Sequence, residues 1–180
     1  MISQDIETVL LTEEQIEKRC VELAKQIEDD YNKEGEVPIV VGLLRGSVPF
    51  MAELIKRFTF PCEIDFMSVS SYDGTESIGD VKIDKDMDLS SKERAILLVE
   101  DIVDTGRTLS EVKKMFINKG ATNVKIVALL DKPSRRVVEI HADYIGFEVP
   151  NEFVVGYGLD YNQKYRNLPY IGILKREIYE

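Results

Sequence analysis

Residues 96–109 read ILLVEDIVDTGRTL, and Ala95 extends the apolar run at the front of this string. AILLV, at 95–99, is apolar without alternation, the pattern of a short strand covered on both faces. EDIVDTG follows it, and the spacing after that predicts a helix from about Thr108 to Lys119, closed by Gly120. The same strand, polar turn and helix recur upstream. VPIVVGLL (37–44) is followed by Arg45, Gly46 and Ser47, then by a helix containing Pro49, Phe50, Met51, Leu54, Ile55 and Phe58. Downstream, VKIVALL (124–130) runs into Asp131 and Lys132. Apolar strands alternating with helices predict an α/β fold whose parallel sheet is joined by right-handed crossovers. Ligands of such sheets sit beyond the carboxyl ends of the strands. The polar groups at 44–47, 100–106 and 131–132 are therefore expected on one rim.

The rest of the chain fits around that core. Thr12 and Gln15 form a capping box ahead of Ile16, Cys20, Leu23, Ala24, Ile27 and Tyr31 at helical spacing, and the helix should end near Gly35. CEIDFMSV (62–69) alternates like a half-covered strand. SSYDGTESIGD (70–80) lacks periodicity and reads as a long mobile loop before a short strand at Val81–Ile83. YIGF, FVVGYGL and YIGIL are short apolar or aromatic segments between polar turns.

Composition bounds the function classes. A chain of 180 residues corresponds to about one domain. Its 44% hydrophobic and 31% charged residues are ordinary for a globular protein with a real core. A net charge of −10 repels nucleic acid and anionic lipid, so an anionic ligand needs a local device to hold it. No stretch is apolar enough for a membrane span, and MISQDIETVL is unlike a secretory leader. Cys20 and Cys62 lie far apart and outside any zinc spacing. A soluble, cytoplasmic protein is expected. The single histidine, His141, has no nucleophile motif around it, and LDKPSRR is too short a basic cluster for a nucleic-acid site. Neither GxxxxGK[ST] nor GxGxxG occurs.

The chemistry lies in the central string. Two adjacent carboxylates, Glu100 and Asp101, are costly at a buried strand end unless they meet solvent, a cation or a hydroxyl-bearing ligand. Asp104 to Thr108 combine a glycine, two hydroxyls and the free N–H groups of a helix start, which is a phosphate cradle. Taken alone, DTG also reads as a helix cap with a turn. A cap does not call for two carboxylates before it.

ILLVEDIVDTGRTL resembles the phosphoribosyl pyrophosphate motif of the type I phosphoribosyltransferase family. Within that family the chain is similar to the bacterial hypoxanthine-guanine members in VGLLRGSVPFMAEL, SSYDGT, LLDKP and FVVGYGLDYNQKYRNLPYIGIL. The resemblance implies a central, mostly parallel sheet flanked by helices, with a core at about 37–140 and a small hood formed by the N-terminal and C-terminal segments of one 1–180 domain. It implies transfer of phosphoribose to hypoxanthine or guanine, releasing pyrophosphate and IMP or GMP for purine salvage.

Site roles follow by the same resemblance. Glu100 and Asp101 would address the ribose hydroxyls and Mg2+, an ion suited to oxygen ligands and retained water. Asp104, Thr105, Gly106, Arg107 and Thr108 would hold the 5′-phosphate, with Asp104 also acting as acid or base at purine N7. Leu44, Arg45 and Gly46 would form the pyrophosphate loop, with a cis peptide between Leu44 and Arg45 and with Arg45 where relatives usually have Lys. Arg166 would also reach the pyrophosphate. Lys132 would donate to the 6-oxo group, Phe153 would stack on the purine, and Val154 would meet its edge. Asp160 would serve the purine 2-position and a second metal. Ser71 and Tyr72 would belong to the loop covering the reaction. The family implies a homodimer or homotetramer, and a guanine pocket beside two anion cradles suits guanosine tetraphosphate as a competing ligand. Two other readings stay open: an RNA-binding regulator on the same fold, and a transferase for xanthine, adenine or orotate.

Overall fold

In the computed structural model, residues 2–71 and 81–180 are described, Ser71 by its backbone only. The elements run β1 (Ile6–Leu11), α1 (Glu13–Glu34), β2 (Ile39–Leu43), α2 (Val48–Ile55), β3 (Glu63–Ser71), β4 (Val81–Lys85) and β5 (Ala95–Val103). They continue through α3 (Arg107–Asn118), β6 (Asn123–Asp131), β7 (Tyr144–Glu148), β8 (Val154–Val155), β9 (Ile171–Leu174) and a terminal turn, α4 (Arg176–Tyr179).

Six strands form the main sheet in the order β4-β3-β2-β5-β6-β7. All neighbours are parallel except β4, which folds back on β3. The central strands carry unbroken buried apolar runs, Ile39–Leu43, Ala95–Val99 and Ile126–Leu130, because both faces are covered there. Val40, Leu97, Val99, Val127 and Leu129 meet α1 and α2 through Ile16, Leu23, Ile27, Phe50 and Leu54. Their neighbours Ile39, Val41, Ile96, Leu98 and Ile126 meet α3 through Leu109, Val112 and Phe116. The terminal segments form a second, antiparallel sheet ordered β1-β9-β8, which is the hood.

Local signals set the first helix. Thr12 Oγ1 accepts from the Gln15 N–H at 3.3 Å, while the Gln15 side chain accepts from the Thr12 N–H at 2.8 Å. Gly35 closes the helix at φ +69°. Elsewhere the structure moves several boundaries. β2 begins at Ile39 rather than at residue 37. α2 stops at Ile55, so Phe58 lies beyond it and stacks on Phe60 at 4.7 Å. α3 starts at Arg107, one residue early.

β5 continues through the acids to Val103, and β6 continues to Asp131, because the two strands keep pairing as far as Val103 against Asp131. Glu100 and Asp101 therefore lie on a strand and not in the turn after it. YIGF is β7, a parallel member of the main sheet, so the sheet passes the expected boundary at 140. Of the 70–80 segment, Ser70 and Ser71 pair with β4 and belong to β3. Tyr72 and the remainder of that segment, to 80, lie outside the described residues.

Candidate active site

β2, β5 and β6 end on the same rim, and a cavity of about 250 Å³ opens there against Leu44, Val69, Glu100 and Asp104–Gly106. The loop after β2 is tight. The Leu44–Arg45 peptide is cis, Ser47 is buried, and its Oγ donates to the Leu43 carbonyl at 2.6 Å. Position 46 has no room for a side chain, since a Cβ there would stand 1.6 Å from Asp101 Oδ2. Glycine thus presses the loop backbone onto the carboxylate of the neighbouring strand.

Asp101 is held by its own strand, with Oδ1 accepting from the Ile102 N–H at 2.7 Å. Glu100 beside it is half-buried, and its Oε1 accepts from the Asp101 N–H at 3.1 Å. Burial first, and then the adjacent Asp101 charge, push the Glu100 carboxyl well above the usual carboxylate range. Two adjacent carboxyl groups offering only oxygen donors suit a divalent cation, whose charge favours their ionised form. With no nitrogen or sulfur donor beside it, Mg2+ fits better than zinc. Among the described residues no three His, Cys, Asp or Glu side chains gather as a metal cluster. Asp160 pairs with Arg166 at 2.8 Å and accepts from the Gln163 N–H at 2.8 Å.

The start of α3 forms the next wall. Gly106 is the N-cap at φ +81°, and no side chain caps the helix, so neither Asp104 nor Thr105 is used up as a cap. A Cβ at Gly106 would stand 2.5 Å from Ile140 Cγ2, so both conformation and space require glycine. The first N–H groups of the helix lack intrahelical partners, and the helix start lines the cavity. Asp104 Oδ1 accepts from Arg135 Nε at 3.1 Å, its carbonyl accepts from Arg136 Nη1 at 2.5 Å, and the Thr105 carbonyl accepts from the Val137 N–H at 3.1 Å. The segment after β6 therefore clasps the 104–105 turn. Arg136 is anchored in turn on Asp131.

Lys132 starts that segment and is 8% exposed. Its ammonium donates to the Glu152 carbonyl at 2.9 Å. Burial pulls its pKa below the usual lysine value, and the nearby Asp104 charge works against that pull. Lys132 thus touches the residue preceding Phe153. Phe153 is 36% exposed, and Val154 next to it is buried.

Two guanidiniums converge at the far end of the rim. Arg45 Nη1 reaches Gln163 Oε1 at 3.2 Å, and Arg166 Nη2 reaches the same oxygen at 3.1 Å. Arg166 Nη1 also donates to the Gly158 carbonyl at 2.7 Å. Arg135 and Arg136 belong to the LDKPSRR cluster, whose sequence does not announce their contact with the 104–105 turn. A left-handed turn, with Asn162 at φ +50° and Gln163 at φ +63°, presents the Gln163 amide, and no local motif announces it. Arg107 is exposed at the start of α3, and His141 is exposed as expected. Ser71 ends β3, and Tyr72 falls outside the described residues.

Comparison with known proteins adds to this geometry. A family model for the phosphoribosyl transferase domain matches residues 8–162. The chain is 56% identical, over 99% of its length and 96% of the relative's, to the hypoxanthine-guanine phosphoribosyltransferase of Lactococcus lactis subsp. lactis. It is 54% identical, over 97% of its length, to the bifunctional protein TilS/HprT of Listeria monocytogenes, of which it spans 27%. The crystal structure of a hypoxanthine phosphoribosyltransferase from Staphylococcus aureus superposes with a TM-score of 0.94, at 49% identity, covering 99% of this chain and 97% of that one.

Proposed function

Since the chain belongs to the phosphoribosyl transferase family, we propose that it transfers phosphoribose from phosphoribosyl pyrophosphate to hypoxanthine or guanine, giving IMP or GMP and pyrophosphate in purine salvage. One observation carries the reading. The ends of β2, β5 and β6 bring an arginine–glycine loop, a carboxylate pair, the glycine-capped start of α3 and a buried lysine to a single rim.

In this reading the residues divide the substrate between them. Asp104 to Thr108 hold the 5′-phosphate with helix N–H groups and hydroxyls. Glu100 and Asp101 take the ribose hydroxyls and hold Mg2+, which when bound neutralises charge on the departing pyrophosphate. Arg45 and Arg166, already directed at one acceptor through Gln163, bind the pyrophosphate beside Leu44 and Gly46. Lys132 leaves the Glu152 carbonyl to donate to the 6-oxo group. An adenine amino group offers no such acceptor. Phe153 stacks on the ring, and Val154 presents backbone to its edge.

The chemical step follows from these positions. As N9 of the purine bonds to the ribose carbon, the bond from that carbon to the pyrophosphate oxygen breaks and pyrophosphate leaves. The ring proton at N7 passes to Asp104, whose carboxylate also stabilises positive charge on the sugar. Arg135 must release Asp104 first, and a half-exposed ion pair costs only about 0–1 kcal/mol to open. Chromatography of labelled hypoxanthine incubated with phosphoribosyl pyrophosphate and Mg2+ tests the assignment: labelled IMP is expected, and its absence refutes it.

Guanosine tetraphosphate, with a guanine and two pyrophosphate groups, matches the same purine and anion subsites. We read it as a competitor of phosphoribosyl pyrophosphate, to be checked by calorimetry with and without that substrate. Cys20 and Cys62 are free, and among the described residues no helix is long and apolar enough to cross a membrane.

A further inference from the structure

Phe153 does not stand alone. The Tyr179 ring lies 4.8 Å from it at an interplanar angle of 24°, a stacked pair, and the Tyr161 ring meets it edge-on at 5.6 Å and 90°. These separations fall in the favourable range for aromatic pairs. Two aromatic rings thus pack on Phe153, yet the residue stays 36% exposed.

The tyrosine is itself fixed. Leu174 at the end of β9 donates its N–H to the Phe153 carbonyl at 2.8 Å, and the Lys175 N–H donates to the Asp5 carbonyl at 2.9 Å. The Ile178 N–H closes the following turn on the Lys175 carbonyl at 3.0 Å. Ile178, Tyr179 and Tyr161 pack on the buried hood cluster of Val155, Tyr165, Leu168 and Leu174. The C-terminal turn therefore presents Tyr179 from an anchored base.

We propose that Tyr179 is a positioning residue for the purine: it backs Phe153 and fixes its ring plane, so that base, Phe153 and Tyr179 form a three-layer stack whose third layer the C-terminus supplies. The proposal rests on the reading of Phe153 as the stacking partner of the base. Without its backing, Phe153 gains ring freedom that each binding event must remove, which weakens the base and leaves the phosphoribosyl side untouched.

Steady-state kinetics on Phe153→Ala, Tyr179→Ala, Tyr179→Leu and Tyr179→Phe test it. Leucine keeps apolar bulk on the hood cluster but cannot stack, so it serves if the alanine variant folds poorly. The expected result is a hypoxanthine KM raised roughly three- to tenfold by Tyr179→Ala and Tyr179→Leu, with Tyr179→Phe like the wild type. The kcat and the KM for phosphoribosyl pyrophosphate should stay within about twofold. If Phe153→Ala raises the hypoxanthine KM and Tyr179→Leu does not, the Tyr179 role fails alone. If Phe153→Ala leaves that KM unchanged, the stacking reading fails and takes this one with it. A lowered KM in Tyr179→Leu would mean that the tyrosine occupies the purine's own place, and an equal rise in both KM values would mean a general distortion; either overturns the proposal.

Discussion

Gly46→Ala isolates the contact between the loop after β2 and the acidic pair on β5. The new Cβ would stand 1.6 Å from Asp101 Oδ2 and 2.6 Å from Asp101 Cγ. To reach an ordinary contact of 3.4 Å, the carboxylate or the loop must give way by about 1.8 Å. Asp101 does not move freely, because its other oxygen accepts from the Ile102 N–H at 2.7 Å. A misplacement of about 1 Å at a substrate-positioning group typically costs around 100-fold in rate, so kcat/KM for phosphoribosyl pyrophosphate should fall by roughly 10²–10³. Overpacking should lower stability by only about 1–3 kcal/mol, leaving a folded protein to assay. A double-mutant cycle with Asp101→Ala separates this clash from a general loop effect. With the carboxylate gone, the added methyl should cost less than about threefold beyond the loss caused by Asp101→Ala itself. Additive losses in the cycle, or a Gly46→Ala enzyme within twofold of the wild type, would show that the loop does not bear on Asp101.

Other consequences are sharper in chemistry than in packing. Asp104→Asn keeps the shape but removes the proton acceptor, so kcat should drop by roughly 10²–10⁴ while equilibrium binding of phosphoribosyl pyrophosphate stays near that of the wild type; pre-equilibrium binding and turnover assays together check both halves. Lys132→Ala should erode the preference for 6-oxopurines over adenine by about 1–3 kcal/mol, read as the ratio of kcat/KM values. Glu53 on α2 is pushed up by burial but pulled further down by hydrogen bonds from Lys56 and Arg57, ending below the ordinary 4.5. A carboxyl depressed in the folded state stabilises above its unfolded value and loses that contribution as pH falls through the folded one. The gap in urea midpoint between wild type and Glu53→Gln should therefore be full at neutral pH and narrow on acidification below 4.5; a gap independent of pH would contradict the pairing.

The sequence carries what depends on neighbours along the chain. The capping box at Thr12 and Gln15, the two-sided apolar runs of β2, β5 and β6, and the glycine opening α3 are all local signals, and the structure contains each of them. Strand ends were less legible, because β5 runs through Glu100 and Asp101 on hydrogen bonds supplied by β6, a partner no local pattern announces. YIGF was readable as apolar but not as a member of the main sheet, since its place beside β6 is a matter of long-range pairing. At the site, the motif residues were legible by chemistry and resemblance. The contacts around them were not: Arg135 with Asp104, Gln163 with Arg45, and Tyr179 with Phe153 span 31, 118 and 26 positions of chain.

The proposed reaction pairs a phosphoribosyl donor with a 6-oxopurine on this rim. Pyrophosphate release with hypoxanthine, guanine, xanthine, adenine and orotate in turn, each with Mg2+ and with a chelator, measures it directly. Release with hypoxanthine and guanine, little or none with adenine and orotate, and loss of activity under chelation are predicted. Release with adenine or orotate alone, or with no base at all, would contradict the account.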